Sequence, residues 1–108
     1  MYVLRRVWET QPGQARLAAT IAAKMGQAYA DAGQRGPVQV SFNGGTMPGE
    51  INRVYMTWTQ ESLESPYRAG LDLPVEAIRD LGPRLRELTV GNWLEVTELL
   101  TPDKYQEE

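Results

Sequence analysis

The stretch SFNGGTMPGE, residues 41–50, carries three glycines and a proline directly after an apolar run. Glycine-rich loops bind phosphate when a helix N-terminus follows and directs its N–H groups at the anion. Residues 51–59 instead alternate polar and apolar side chains, which indicates a strand. We therefore interpret the stretch as a β-hairpin turn whose glycines adopt positive φ, in preference to an anion-binding loop. Its length also fits a loop that closes over a ligand.

Four strands are predicted around this turn. Residues 38–43 and 51–59 each present one apolar and one polar face. Residues 2–10 are rich in β-branched and aromatic side chains and run into Gln11-Pro12-Gly13, which is typical of a strand that ends in a turn. Residues 91–100 (GNWLEVTELL) return to the same alternation and form the last strand.

Two helices are predicted between the strands. The first runs from Gln14 to Gly33, and its apolar stripe is Ala15, Ala18, Ile21, Ala22, Met25 and Tyr29. The second begins at Pro74, and its stripe is Ile78, Leu81, Leu85 and Leu88. We expect a kink at Gly82-Pro83, because proline has no N–H to donate. Residues 59–70 are expected to be irregular, with a short helix at 60–63 and another helix start at Ser65-Pro66.

The order strand, helix, strand, strand, helix, strand predicts a ferredoxin-like α+β fold: a four-stranded antiparallel sheet with helices on one face. We assign residues 1–100 to a single domain of this kind. Residues 101–108 form a polar, acidic C-terminal tail.

The alternation along the strands assigns each side chain to a face of the sheet. We place under the helices Val38, Val40, Phe42, Val54, Met56, Trp58, Leu94 and Val96. The opposite, open face then carries Gln39, Ser41, Asn43, Arg53, Tyr55, Thr57, Trp93, Glu95, Thr97 and Leu99. The first strand fits either orientation. We place Leu4, Arg6 and Trp8 on the open face, with Val3 and Val7 under the helices.

The open face is too apolar for a solvated sheet, because it exposes Trp93, Tyr55 and Leu99, and also Leu4 and Trp8 in the orientation chosen for the first strand. Burial of two or three such side chains, at about 25 cal/mol per Å², stabilises an interface by several kcal/mol. A second copy of the chain is the simplest cover. It would create a symmetric homodimer whose barrel-like centre is lined by Arg, Tyr, Trp and Glu.

The composition excludes several classes of function. The 108 residues include neither Cys nor His, which removes thiolate and imidazole catalysis and the usual zinc and haem ligands. The net charge of −3 gives no field that attracts nucleic acid or acidic membranes. We expect no cofactor, no metal and a cytoplasmic location, because the N-terminus lacks a signal-peptide pattern and no run is long enough to span a membrane.

The segments YVLRRVWETQPGQ (2–14) and RVYMTWTQESLESPY (53–67) resemble the dimeric α/β-barrel superfamily. This superfamily includes NIPSNAP-like proteins, antibiotic-biosynthesis monooxygenases and stress-responsive A/B-barrel proteins, and the resemblance covers nearly the whole chain as an order of elements. It implies a dimeric α/β barrel with a small-molecule cavity between sheet and helices in each subunit. The haem-degrading branch uses a catalytic His, which this chain lacks. The cofactor-independent monooxygenase branch implies Asn, Trp, Tyr and Arg, which occur here as Asn43, Trp58, Tyr67 and Arg53.

The candidate ligand-binding residues are Asn43, Arg53, Tyr55, Tyr67, Trp93, Glu95 and Arg6, and each also has a structural interpretation. Arg53 and Glu95 can pair across the sheet, while Trp93 and Tyr55 can form the dimer core. Tyr67 can anchor a loop. Trp58 is expected in the helix-side core with its indole N–H bonded locally.

Three functions remain open after the sequence is considered. The first is a non-catalytic or accessory dimer that binds a small aromatic or apolar molecule. The second is a cofactor-independent monooxygenase acting on an aromatic or polyketide-like substrate. The third is a structural subunit whose interior is filled by its own side chains, so the presence or absence of a cavity separates it from the other two.

Overall fold

The computed structural model describes residues 1–33, 36–63 and 74–108 of the chain. Its elements, in order, are β1 (Tyr2–Thr10), α1 (Ala15–Asp31), β2 (Gln39–Asn43), β3 (Arg53–Gln60), α2 (Val75–Ile78), α3 (Leu81–Leu88), β4 (Thr89–Glu98) and a 3₁₀ turn (Pro102–Lys104). The strands form one antiparallel sheet in the order β2-β3-β1-β4. The predicted ferredoxin-like α+β fold is confirmed.

The glycine-rich stretch is a hairpin connection, as predicted. β2 pairs with β3 from Gln39 opposite Thr57 to Asn43 opposite Arg53. Gly45 and Gly49 adopt φ of 129° and 109°, which a side chain would make costly. No helix follows the loop, because the chain passes directly into β3.

On the helix side of the sheet, small side chains of α1 pack against large side chains of the strands. The buried residues of α1 are Ala15, Ala18, Ala19, Ile21, Ala22 and Gly26. Gly26 lies so close to the sheet that an added Cβ would come within 2.6 Å of Val38 Cγ2. The sheet fills the remaining space with Leu4, Trp8, Met56 and Trp58, which share one buried cluster with Leu85 and Leu88 of α3. Large sheet residues therefore compensate for an alanine-rich helix.

This packing overturns the predicted orientation of β1. Leu4 and Trp8 lie in the helix-side core, not on the open face. In register, Arg6 lies between Met56 and Leu94, so it also belongs to the helix side. Val7 and Val3 are therefore on the open face. The prediction was wrong because both faces of β1 contain one arginine, and the larger apolar residues take the side that α1 leaves unfilled.

The later helix is divided, but not where the proline suggested. α2 ends at Ile78 and α3 begins at Leu81, so the break precedes Gly82-Pro83. Pro83 lies in the first turn of α3, where its missing N–H breaks no intrahelical bond. The short helix predicted at 60–63 is absent, since β3 extends to Gln60 and a bend follows. The predicted start at Ser65-Pro66 lies outside the described residues.

The C-terminal segment makes local contacts with the end of β4. Lys104 Nζ donates to the carbonyl of Leu99 at 3.0 Å and lies 3.3 Å from a Glu98 carboxylate oxygen. Thr101 Oγ1 donates to the Asp103 carboxylate within the 3₁₀ turn. Across the three described ranges, no helix is both long and apolar enough to cross a membrane.

Candidate functional site

The centre of the open face is a compact group of polar and aromatic side chains. We call it the open-face cluster, and it consists of Arg5, Val7, Arg53, Tyr55, Trp93 and Glu95. Val7 of β1 is directly opposite Tyr55 of β3 on one side and Trp93 of β4 on the other. Val7 is only 1% exposed although it is not part of the helix-side core. Its neighbours on the open face therefore bury it.

One half of the open-face cluster is organised around Glu95. Arg5 Nε donates to Glu95 Oε1 at 3.0 Å, and Trp93 Nε1 donates to Glu95 Oε2 at 2.9 Å. The Arg5 guanidinium also lies 4.6 Å from the centre of the Tyr55 ring, within range of a cation–π interaction. The hydrogen bond from Trp93, and then the nearby Arg5 charge, lower the pKa of Glu95 below its ordinary value of 4.5.

The other half is organised around Arg53, whose side chain is 17% exposed. Its guanidinium lies 3.7 Å from carboxylate oxygens of both Glu9 and Glu50, and its Nη1 donates to the carbonyl of Ile51 at 2.9 Å. Its Cζ is 6.0 Å from the Trp93 ring. The predicted Arg53–Glu95 pair is wrong: β1 separates β3 from β4, so the residue opposite Glu95 is Arg5.

The bonds to Glu95 predict a measurable titration. Because its folded-state pKa is below the unfolded value, ionised Glu95 favours folding above about pH 4.5. That contribution is lost as the pH falls through the lowered pKa. We expect a carboxyl NMR titration to give a pKa below 4.5, and Trp93→Phe to raise it more than Arg5→Gln does. A midpoint at or above 4.5 in the unaltered chain would contradict this arrangement.

The remaining predicted site residues lie elsewhere. Asn43 holds the hairpin: its Oδ1 accepts from Gly45 N at 2.9 Å, and its Nδ2 donates to the carbonyl of Met47 at 3.0 Å. Arg6 is on the helix side, where its Nη1 donates to Asn92 Oδ1 at 3.1 Å. Tyr67 lies outside the described residues. Trp58 is buried and donates its indole N–H to Gln60 Oε1 at 2.8 Å, as predicted.

A second candidate site lies between the sheet and α3. This helix-side cavity has a volume of about 180 Å³ and is lined by Trp8, Met25, Gly82, Leu85, Arg86, Thr89 and Asn92. Trp8 and Leu85 are core residues and give it an apolar floor. Asn92 and Arg86 supply polar groups, and the Arg6 bond fixes the carbonyl end of the Asn92 amide. The cavity is therefore an apolar pocket with a polar side.

Two larger depressions lie beside the C-terminal half of α1. One, of about 480 Å³, is an open groove whose lining includes Lys24, Asp31 and Pro74. The other, of about 310 Å³, is lined by Gln27, Ala30 and residues 36–38. Both lie away from the open-face cluster and from the helix-side cavity. In the described part of the chain, no group of His, Cys, Asp and Glu side chains is arranged to hold a metal ion.

Sequence reasoning missed Arg5 and Val7 because the orientation of β1 was reversed. It also did not include Arg86 and Asn92, which are both exposed, among the candidate ligand-binding residues. The alanine-rich stripe of α1 indicates the orientation of β1, because small helix side chains leave space that large side chains of the sheet must fill. No comparable signal marks the cavity, which depends on how α3 is placed over the end of the sheet.

No protein-family model matches the chain, and no curated protein matches it. Solved structures do. The chain is similar to a NIPSNAP family protein from Agrobacterium tumefaciens, with a TM-score of 0.61 and 19% identity over 95% of this chain and 94% of that one. It is similar to an uncharacterised NIPSNAP domain protein from Burkholderia xenovorans, with a TM-score of 0.58 and 15% identity over 100% of both chains.

A candidate antibiotic biosynthesis monooxygenase from Deinococcus radiodurans is also similar, with a TM-score of 0.57 and 11% identity over 99% of this chain and 100% of that one. The sheet order and the one-sided helices define the class, a ferredoxin-like α+β protein. Within that class, the chain has the fold of NIPSNAP and antibiotic-biosynthesis-monooxygenase-like proteins. The predicted resemblance is confirmed at the level of the fold.

Proposed function

We propose that the chain forms a homodimer through its open face, and that each subunit binds a small organic molecule in its helix-side cavity without catalysing a reaction on it. The observation that carries the binding function is the cavity itself. A purely structural subunit would fill this space with its own side chains, whereas about 180 Å³ remains between Trp8, Met25 and Leu85.

The dimer is supported by the apolar side chains that the open face leaves uncovered. Trp93 is 40% exposed, and Leu99, which follows β4 on the same face by alternation, is 41% exposed. Adjacent apolar side chains of this size on one sheet face are typical of a surface that is covered by a partner. Burial of their remaining area would stabilise an interface.

The charges of the open face also suit a second copy of the chain. Arg5 pairs with Glu95, and Arg53 lies near Glu9 and Glu50 within the same subunit. An interface that buries this face therefore leaves no charge unpaired, which would otherwise be costly. A strongly charged partner would have no complementary field to bind.

The non-catalytic assignment follows from the residues that line the cavity. Proton transfer in enzymes relies mostly on His, Glu, Asp, Lys, Tyr or Cys side chains. None of these types is among the described lining residues. Arg86 and Asn92 can bind and orient a ligand, but neither is a useful base.

Binding in the helix-side cavity can be tested by filling it. Gly82 lines the cavity, and an added Cβ there meets no atom within 4 Å. We expect Gly82→Leu to reduce at least tenfold the affinity for any single-ring compound that binds the unaltered chain. Saturation-transfer NMR and calorimetry measure this affinity. Gly82→Ala is the matched control. Like leucine, alanine before Pro83 has a restricted backbone conformation, but its methyl group fills little of the cavity. Unchanged affinity in Gly82→Leu, or no binder in a broad panel, would refute the binding function.

A second candidate, cofactor-independent oxygenation, is favoured by one observation. Trp, Asn and Arg, three of the types that the monooxygenase resemblance implied, meet at the cavity as Trp8, Asn92 and Arg86. The positions named from the sequence do not meet there: Arg53 is on the open face and Trp58 is in the core. Phenolic compounds that bind should be incubated with the protein in air while oxygen is measured. Uptake above background would favour the oxygenase over the binding protein.

A further inference from the structure

We propose that the ligand of the helix-side cavity is an organic anion built on a single ring, such as an aromatic carboxylate, held by Arg86, Asn92 and Trp8. This inference rests on the proposed binding function and specifies its ligand class. Two properties of the cavity support it, namely its size and the absence of hydrogen-bond acceptors for its donors.

The size of the cavity limits the ligand to about one ring. A dry protein cavity of about 150 Å³ accommodates benzene, and one water occupies about 30 Å³ of liquid. The helix-side cavity, at about 180 Å³, therefore has room for one six-membered ring and one small substituent. Trp8 and Leu85 provide the apolar surface against which such a ring would pack. A second fused ring would extend beyond this volume, away from the apolar floor.

The polar groups of the cavity are hydrogen-bond donors without protein acceptors. Among the described residues, the Trp8 indole N–H, the Asn92 amide nitrogen and the Arg86 guanidinium make no hydrogen bond or ion pair within the protein. Asn92 and Arg86 are exposed, so their donors are accessible to a ligand that enters from solvent. Arg6 occupies the Asn92 carbonyl oxygen, which leaves the NH₂ end of that amide as the available group. Arg6 is a positioning residue in this arrangement.

The charge around the cavity has one sign. Arg86 lines it and Arg6 is one hydrogen bond away, whereas the described lining residues carry no carboxylate. Glu87, the acid next to Arg86 in α3, is engaged by Arg84 at 3.1 Å. A carboxylate at the polar side would accept the free donors, and hydrogen bonds between ionised groups are about twice as strong as neutral ones.

Paired ligands and paired variants test the inference by calorimetry near pH 7, where a carboxylic acid is ionised. We expect benzoate to bind at least tenfold more tightly than benzamide, which has nearly the same shape and no charge. Arg86→Gln should reduce the affinity for benzoate at least tenfold and leave the affinity for benzamide unchanged. Arg84→Gln, on the same helix but outside the cavity lining, should change neither. Naphthoate, with two fused rings, should bind more weakly than benzoate.

Equal affinity for benzoate and benzamide, or no effect of Arg86→Gln, would overturn the assignment of an anion. Naphthoate binding as tightly as benzoate would overturn the limit of one ring. If benzoate does not bind at millimolar concentration while neutral compounds do, and Gly82→Leu removes them, the ligand class is wrong and the binding function stands. If Gly82→Leu removes nothing, the binding function fails as well.

Discussion

The Trp93→Glu variant is expected to sediment as a 12.1 kDa monomer under conditions in which the unaltered chain sediments as a dimer. Trp93 is 40% exposed and lies on the open face, opposite Val7 of β1. Burying the remaining area, about 100 Å² at about 25 cal/mol per Å², contributes roughly 2 to 3 kcal/mol per subunit. A carboxylate at this position removes this burial energy. It also places a second negative charge beside Glu95 in each subunit of the interface. The dimer dissociation constant should therefore rise at least a thousandfold.

Val90→Glu is the matched control for this variant, because it adds the same charge to the same strand. Val90 is 63% exposed and lies at the irregularity in β4, between the pairs Glu9–Gly91 and Thr10–Thr89, outside the open-face cluster. It should leave the dimer intact. A Trp93→Glu variant that remains dimeric would move the interface elsewhere. An unaltered chain that is a well-folded monomer at micromolar concentration would remove the dimer from the proposal.

Trp58→Ala is expected to reduce the free energy of unfolding by about 3 to 5 kcal/mol, enough to leave little folded protein if the domain has typical stability. The side chain is 4% exposed and lies in the core between α1 and the sheet, where small helix residues cannot fill the cavity left behind. Urea denaturation at fixed protein concentration measures the loss, since dimerisation makes stability depend on concentration.

Two other substitutions identify the cause of that loss. Trp58→Phe keeps most of the volume and removes the bond to Gln60, so it should cost about 1 to 2 kcal/mol. Trp93→Ala deletes the same atoms on the open face and should affect subunit association more than the stability of each subunit. A loss below about 1.5 kcal/mol for Trp58→Ala would contradict the core packing described here.

The order of elements could be predicted from the sequence because each element has a strong local signal. The glycine-rich stretch is followed by a period-two pattern, and that alone separates a hairpin from a phosphate loop. The orientation of β1 could not be predicted from its own residues, since each face carries apolar residues and one arginine. It is decided by α1, whose alanines leave space that Trp8 and Leu4 fill.

The candidate site was predicted only in part. Tyr55, Trp93, Glu95 and Arg53 lie together on the open face, since alternation along β3 and β4 was interpreted correctly. The partners of the charged residues were not predicted, because they depend on strand order and not on spacing. The helix-side cavity depends on where α3 begins, which is a tertiary property that Gly82-Pro83 only hints at.

The position of β4 at the edge of the sheet bears on how the protein avoids uncontrolled self-association. Edge strands invite pairing with strands of other molecules, and proteins discourage it with short edges or with charge. The β2 edge is only five residues long, whereas the β4 edge has ten and carries Glu95 and Glu98 among its apolar side chains. Each carboxylate is paired with a cation of its own chain, Glu95 with Arg5 and Glu98 with Lys104. A second β4 that approached this edge would have to displace water from these ion pairs, which opposes growth into fibrils.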